Sequence, residues 1–241
     1  MRWLPWPTGI FCQNGQWGLM TVVSSTEKDF KDPKNIQNLK VLVERTERIK
    51  QLLGASQKTF AGVIPGILYT KRLISEIAEA EVTVEVLAKA EAKVKRAECY
   101  PEDIPLIVLG GEGFIGSRLI DKMASREVYS IDLNRTSEIN SNSWPSHLYG
   151  RKAVLVNITT KAVLSRYLDL FWPELILLNE VYPEPSRKEI ETLKKIGSPA
   201  YHVVGVVAKS YPSFPKAYEG GIPCCAAWSS EDVEAIIKRL Y

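Results

Sequence analysis

Four glycines crowd into one short stretch, IPLIVLGGEGFIGSRLI at 104 to 120: Gly110, Gly111, Gly113 and Gly116. GxGxxG is met by 111, 113 and 116, and GxxGxxG by 110, 113 and 116. Either spacing allows a tight turn from a strand into a helix, with the backbone around Phe114 and Ile115 able to approach a ligand where no Cβ intervenes. A helix opened this way aims N–H groups and its positive dipole end at phosphates. The turn follows an apolar run and is trailed by a second run ending in Asp132, about where a carboxylate can grip an adenosine ribose. The chemistry expected is binding of a dinucleotide, NAD or NADP. The alternative is a glycine turn kept only for packing.

Other candidates lie at the ends of the apolar runs that follow. Asp132 repels a 2′-phosphate and leans the expectation slightly to NAD, while Asn134 and Arg135 in the motif NRT could take that phosphate and favour NADP. Asn157 and Thr159 are expected at the cofactor's ribose or nicotinamide amide, or Thr159 or Thr160 simply caps the next helix. Glu180 and Tyr182 are placed to supply a general acid or orient a substrate, against the plainer reading of a loop acid in water and a packed tyrosine. Lys58 and Lys71, near the Pro65-Gly66 turn of the first hundred residues, are candidates to hydrogen-bond a substrate oxygen, although most such lysines are surface groups. His202 reads as a satisfied core histidine, and Cys224 with Cys225 as part of a buried strand.

The elements that must position these groups follow from periodicity. From 103 onward, apolar runs at 104–110, 128–132, 153–157, 174–182 and 201–208, with a sixth at 222–228, alternate with helical spacing at 116–125, 160–171, 186–196 and 230–240. Continuous apolar runs predict strands covered on both faces, a doubly wound parallel sheet. Before that lie a strand at 17–25, an amphipathic helix at 35–55, a strand at 58–69 and one or two helices over 71–98. The stripe Ile36, Leu39, Leu42, Val43, Thr46, Ile49, Leu52, Leu53 is expected to be buried. The segment ECYPEDIP, 98 to 105, divides a smaller α/β domain, 1–100, from a C-terminal Rossmann domain, 101–241.

The string GGEGFIGSRL resembles the opening of the extended short-chain dehydrogenases, although no tyrosine is followed four residues later by lysine after Gly116. A broader resemblance is to the shikimate dehydrogenase and amino-acid-dehydrogenase-like group. It rests on NRT (134–136), LVNITT (155–160), NEVYPEPS (179–186) and IGSPAYHVVGV, in the same order and at similar spacing over about 140 residues. This resemblance implies an NAD(P)-dependent oxidoreductase with a small polar metabolite held between two domains. The group's catalytic Lys and Asp pair has no counterpart that can be placed here. A non-catalytic nucleotide-binding or redox-sensing protein is therefore the alternative.

Composition narrows the partners. The 31 basic and 28 acidic residues nearly cancel and form no block of like charge, so neither nucleic acid nor a membrane surface is expected. No apolar run reaches the ~18 residues of a membrane span, and no spacing suits a metal. Four cysteines without a paired pattern suit a reducing, cytoplasmic setting. The expected partner is a small-molecule substrate. The oligomeric state is open, with a homodimer as one assembly.

Overall fold

The computed structural model describes residues 2–75, 78–132, 144–159, 163–228 and 232–241. The chain is mixed α/β and divides into two compact units, Met1–Thr83 with Gly205–Glu234, and Val84–Val204 with Ala235–Tyr241. The units do not follow a cut at residue 100.

In the first unit, strands β1 (Trp6–Gln13) and β2 (Gln16–Val22) form an antiparallel hairpin. Its two-residue turn is Asn14-Gly15, both at positive φ, the conformation that matches the twist of the flanking strands. Helix α1 (Glu27–Lys31) starts from a capping box of Thr26 and Asp29. Helix α2 (Ile36–Leu52) buries Leu39 and Leu42, and Leu39 joins Phe30, Phe60 and Leu68 in a small core. The rest of its expected stripe is only partly covered: Val43, Thr46 and Ile49 are half-buried, Ile36 is exposed, and Leu52 is 87% and Leu53 58% exposed. The strand expected at 58–69 is also absent. Gly62 sits at positive φ, and Pro65, which lacks a ladder N–H, occupies the first turn of helix α3 (Ile64–Thr70).

Helix α4 (Ala78–Ala97) leads into a six-stranded sheet. Its strands are β3 (Leu106–Leu109), β4 (Val128–Ile131), β5 (Ala153–Asn157), β6 (Leu175–Asn179), β7 (Ala200–Val206) and, later in the chain, β9 (Ala235–Arg239). The order is β4-β3-β5-β6-β7-β9, with every pair from β4 to β7 parallel. Helix α5 (Phe114–Lys122) follows β3, and α6 (Arg187–Ile196) follows β6 from a Ser186–Glu189 capping box. Strand β8 (Lys209–Tyr211) returns to pair with β1.

Three expectations are corrected in the second half of the chain. Over 163–171 there is no α-helix but two 3₁₀ turns, Leu164–Arg166 and Leu168–Leu170, although the buried Leu164, Tyr167, Leu168 and Phe171 have the spacing of one helical face, which is why the segment reads as a helix. The sixth strand is not 222–228. There Pro223 interrupts pairing after a single bridge from Ile222 to Val206, and Cys224–Ala226 is a partly exposed 3₁₀ turn. The sixth strand is instead β9, where a helix over 230–240 is expected. Its adjacent Ile236 and Ile237 are β-branched and suit a strand, and Leu240 N donates to Ala200 O at 2.9 Å, setting the end of β9 against the start of β7. In the sequence, Ser229 or Ser230 followed by Glu231 and Asp232 reads as a helix start with acids in the first turn, and Ser229, Ser230 and Glu231 lie outside the described residues. Among the described residues no helix is long and apolar enough to cross a membrane.

Candidate functional site

The chain leaves β3 for β4 on one side and comes back to β5 on the other. Strand order therefore reverses at β3 and β5, and the loops beyond their carboxyl ends must part there. The glycine turn fills this position. It is tied to both neighbours, with Gly110 N donating to Ile131 O at 2.8 Å and Ile158 N donating to Leu109 O at 3.0 Å.

Each glycine meets a different neighbour. A Cβ on Gly116 would stand 2.1 Å from Gly110 O and 2.8 Å from Gly111 Cα, so α5 approaches the turn more closely than any side chain permits. A Cβ on Gly111 would meet Ser130 Oγ at 2.2 Å. Gly110 has φ +96°, and its missing Cβ would lie 2.9 Å from Thr159 Cγ2. Packing thus requires these three. Gly113 differs: it is exposed, is the N-cap of α5, and its Cβ would meet only Gly110 O, at 3.0 Å. No side chain caps the helix at this residue, so the positive end of α5 opens at the turn. Phe114 and Ile115, in the first turn, are partly exposed, and the Arg118 guanidinium lies 3.8 Å from the Phe114 ring centroid.

Asp132, one residue past β4, reaches back to this turn, its Oδ2 accepting from Glu112 N at 3.0 Å. Its charge also reaches Tyr167, whose hydroxyl is pushed above the ordinary tyrosine range first by burial and then by Asp132. Tyr167 Oη and Trp144 Nε1 are buried without a hydrogen-bond partner among the described residues, and their rings stack at 5.7 Å. Asn134 and Arg135 lie outside the described residues.

Beyond β5, Asn157 and Thr159 belong to a buried polar ladder. Thr159 N and Oγ1 both donate to Asn157 Oδ1, at 3.2 and 2.6 Å. Asn157 Nδ2 donates to Asn179 Oδ1 at 2.7 Å, and Asn179 Nδ2 donates to Val181 O at 2.8 Å and faces His202 Nδ1 at 3.0 Å. Asn157, Asn179 and His202 are each 2% exposed and lie opposite one another in strand register. The backbone partners Thr159 N–H and Val181 C=O fix both amide orientations. His202 Nδ1 must then accept, which sets the neutral Nε2–H tautomer. Thr159 is thus held by a side chain at the end of β5, and residues 160–162, on which the helix-cap alternative depends, lie outside the described residues. The ladder's extent was not foreseen, although two successive apolar runs ending in Asn, LVN and LLN, are its sequence signal.

The other candidates are placed as follows. Glu180 follows β6 directly, its backbone N–H bound to Asn157 O at 3.0 Å, and Tyr182 is 60% exposed. Lys58 and Lys71 belong to the other unit. Lys58 Nζ is paired with Glu47 at 2.7 Å, and Lys71 follows the last turn of α3. Among the described residues no cluster of His, Cys, Asp or Glu suits a metal ion. Compared with protein-family models and with curated protein sequences, the chain matches none.

Proposed function

We propose that the six-stranded unit is a Rossmann-type domain that binds NAD or NADP at the glycine turn, and that the protein transfers a hydride to or from a small polar metabolite. The observation that carries this reading is the close contact between Gly116 and Gly110, at the point where strand order reverses. A dinucleotide turn needs three things of its glycines: a tight bend, open backbone at the ligand and close packing of helix on strand. Gly110, Gly113 and Gly116 supply one each.

The residues fit a dinucleotide on these grounds. The turn from Gly110 to Gly116 and the start of α5 would hold the pyrophosphate, Asp132 the adenosine ribose, and Asn157 with Thr159 the nicotinamide side. The bound nicotinamide would supply hydride exchange, and the protein's task is to position and to manage a proton. The ladder from His202 to Thr159 fixes the Thr159 hydroxyl without a mobile link. Glu180, at the end of β6, is the nearest chain acid to that ladder in sequence and the candidate proton donor.

Because Tyr182 is largely exposed and Lys58 is committed to Glu47, a second reading has specific support: nucleotide binding or redox sensing without turnover. The two separate on one experiment. Purified protein, stripped of nucleotide and loaded with NADH, is screened against small carbonyl compounds for loss of the reduced-nicotinamide absorbance. Substrate-dependent oxidation abolished by Glu180→Gln supports the enzyme. Tight NADH binding with no oxidation across the screen supports the sensor.

A further inference from the structure

The uncovered half of α2 faces a groove. Thr46, Ile49, Lys50 and Leu53, spaced to share one helical face, line it with the hairpin β1–β2 and the segment 54–59. Its volume is about 640 Å³, within the range of small-molecule sites. All of its lining belongs to the first unit.

Its walls are aromatic by construction. Phe11 and Trp228 pack with ring centroids 4.2 Å apart. Gly18 lies opposite Phe11 across the hairpin, and a Cβ there would sit 2.3 Å from the Trp228 ring. The missing side chain is what lets the indole approach β2 this closely. Trp17, next to it and 69% exposed, is a third ring left open to solvent.

The charge of the lining is positive. Lys58 and Lys50 both contribute, and Glu47, held below the usual carboxylate range by Lys58 and then Lys50, neutralises one of them. Lys50 has no ion-pair partner among the described residues. Flat apolar walls with one uncompensated cation suit a ligand that is flat, apolar and singly negative.

We infer that this groove binds an aromatic carboxylate, its ring against Trp17 and Trp228 and its carboxylate drawn to Lys50. The inference is independent of the dinucleotide reading. A long aliphatic acid would match the charge but not the three ring faces.

The test is calorimetric titration of the full chain with 3-phenylpropionate and with its neutral amide. Expected is binding of the acid about tenfold tighter than the amide, the order of effect for one partly desolvated charge. Lys50→Met should reduce the acid to the affinity of the amide while leaving the Lys58–Glu47 pair intact. Trp17→Ala should weaken both, and because Trp17 is exposed the fold should survive, as circular dichroism would check. No binding of either compound by folded protein overturns the inference. So does acid binding that ignores both substitutions. Self-association abolished by Trp17→Ala, without acid binding, overturns it too and makes the groove an interface between copies.

Discussion

Asn157 and Asn179 end neighbouring parallel strands and are joined by a 2.7 Å bond from Nδ2 to Oδ1 in a buried setting. Through Asn157 the bond reaches Thr159 at the glycine turn, and through Asn179 it reaches His202. Replacing Asn179 with Ala removes partners from Asn157 Nδ2, Val181 O and His202 Nδ1 together. A buried polar group left unpaired costs about 1–3 kcal/mol, so Asn179→Ala should lower unfolding free energy by at least about 2 kcal/mol in urea titration. Nitrogen chemical shifts of His202 should report the Nε2–H tautomer in the native protein. An Nδ1–H signal would contradict the ladder as described.

The contact of Gly116 with Gly110 O makes a sharper test of the turn. Gly116→Ala places a methyl carbon where only 2.1 Å is free. Backbone cannot give way as a flexible side chain would, so α5 must move outward. Overpacking of this kind costs about 1–3 kcal/mol, and dinucleotide binding should fall with it. Gly113→Ala, at the exposed N-cap, should cost less stability than Gly116→Ala and lose as much binding. Calorimetry and urea titration on both variants separate the two roles.

A buried ion network fastens the end of α4. Glu91 meets Lys95 at 3.1 Å and Arg126 at 3.0 Å, and Lys95 also donates to Glu102 O at 2.6 Å. Glu91→Ala takes the buried carboxylate from both cations, but Lys95 keeps the exposed Glu102 carboxylate at 2.9 Å and Arg126 keeps the Glu102 and Ile104 carbonyls. The cost should therefore lie at the lower end of the range of about 3–5 kcal/mol for breaking a buried pair. Removing Glu191, whose pairing with Arg187 is exposed, should change stability by no more than about 0.5 kcal/mol.

Tyr201 gives a pH signature. Burial, then its hydrogen bond to Glu98 and the charge of that carboxylate, push its hydroxyl up to about 12 from 10.0. A raised tyrosine stabilises the fold fully below the unfolded value. That contribution is lost as pH rises from 10 toward 12, because the unfolded chain ionises first. Between those limits the wild type should lose stability more steeply than Tyr201→Phe, measured as Tm against pH. Equal slopes would contradict the assignment.

How much of this was legible varied with the physics of each segment. Strands β5 and β6 fall within the apolar runs expected of them, since a strand covered on both faces reads as a continuous run. Helix α6 was bounded by its own chemistry, Ser186 with Glu189 at the start and Gly197 at positive φ beyond the end. The hairpin β1–β2 was only half seen although Asn14-Gly15 announces it, because prolines and mixed polarity obscure β1. Strand β9 was misread because a Ser-Glu-Asp start signal precedes it and local signals do not weigh tertiary pairing. The stripe of α2 was legible as apolar but not as uncovered, since burial depends on what packs opposite. The candidate site was read from the glycines and Asp132, and the structure sets Asp132 against the turn through Glu112 N. The ladder was not, since Asn157, Asn179 and His202 become neighbours only through strand register.

The central claim is that the glycine turn holds a dinucleotide. Its most direct test is calorimetric titration of nucleotide-stripped protein with NADH and, separately, NADPH, on the wild type and on Asp132→Ala. The account predicts saturable binding, NADH the tighter of the two, with affinity for NADH reduced in Asp132→Ala. Failure of folded wild-type protein to bind either dinucleotide would contradict it and leave Gly110, Gly111 and Gly116 as a packing device.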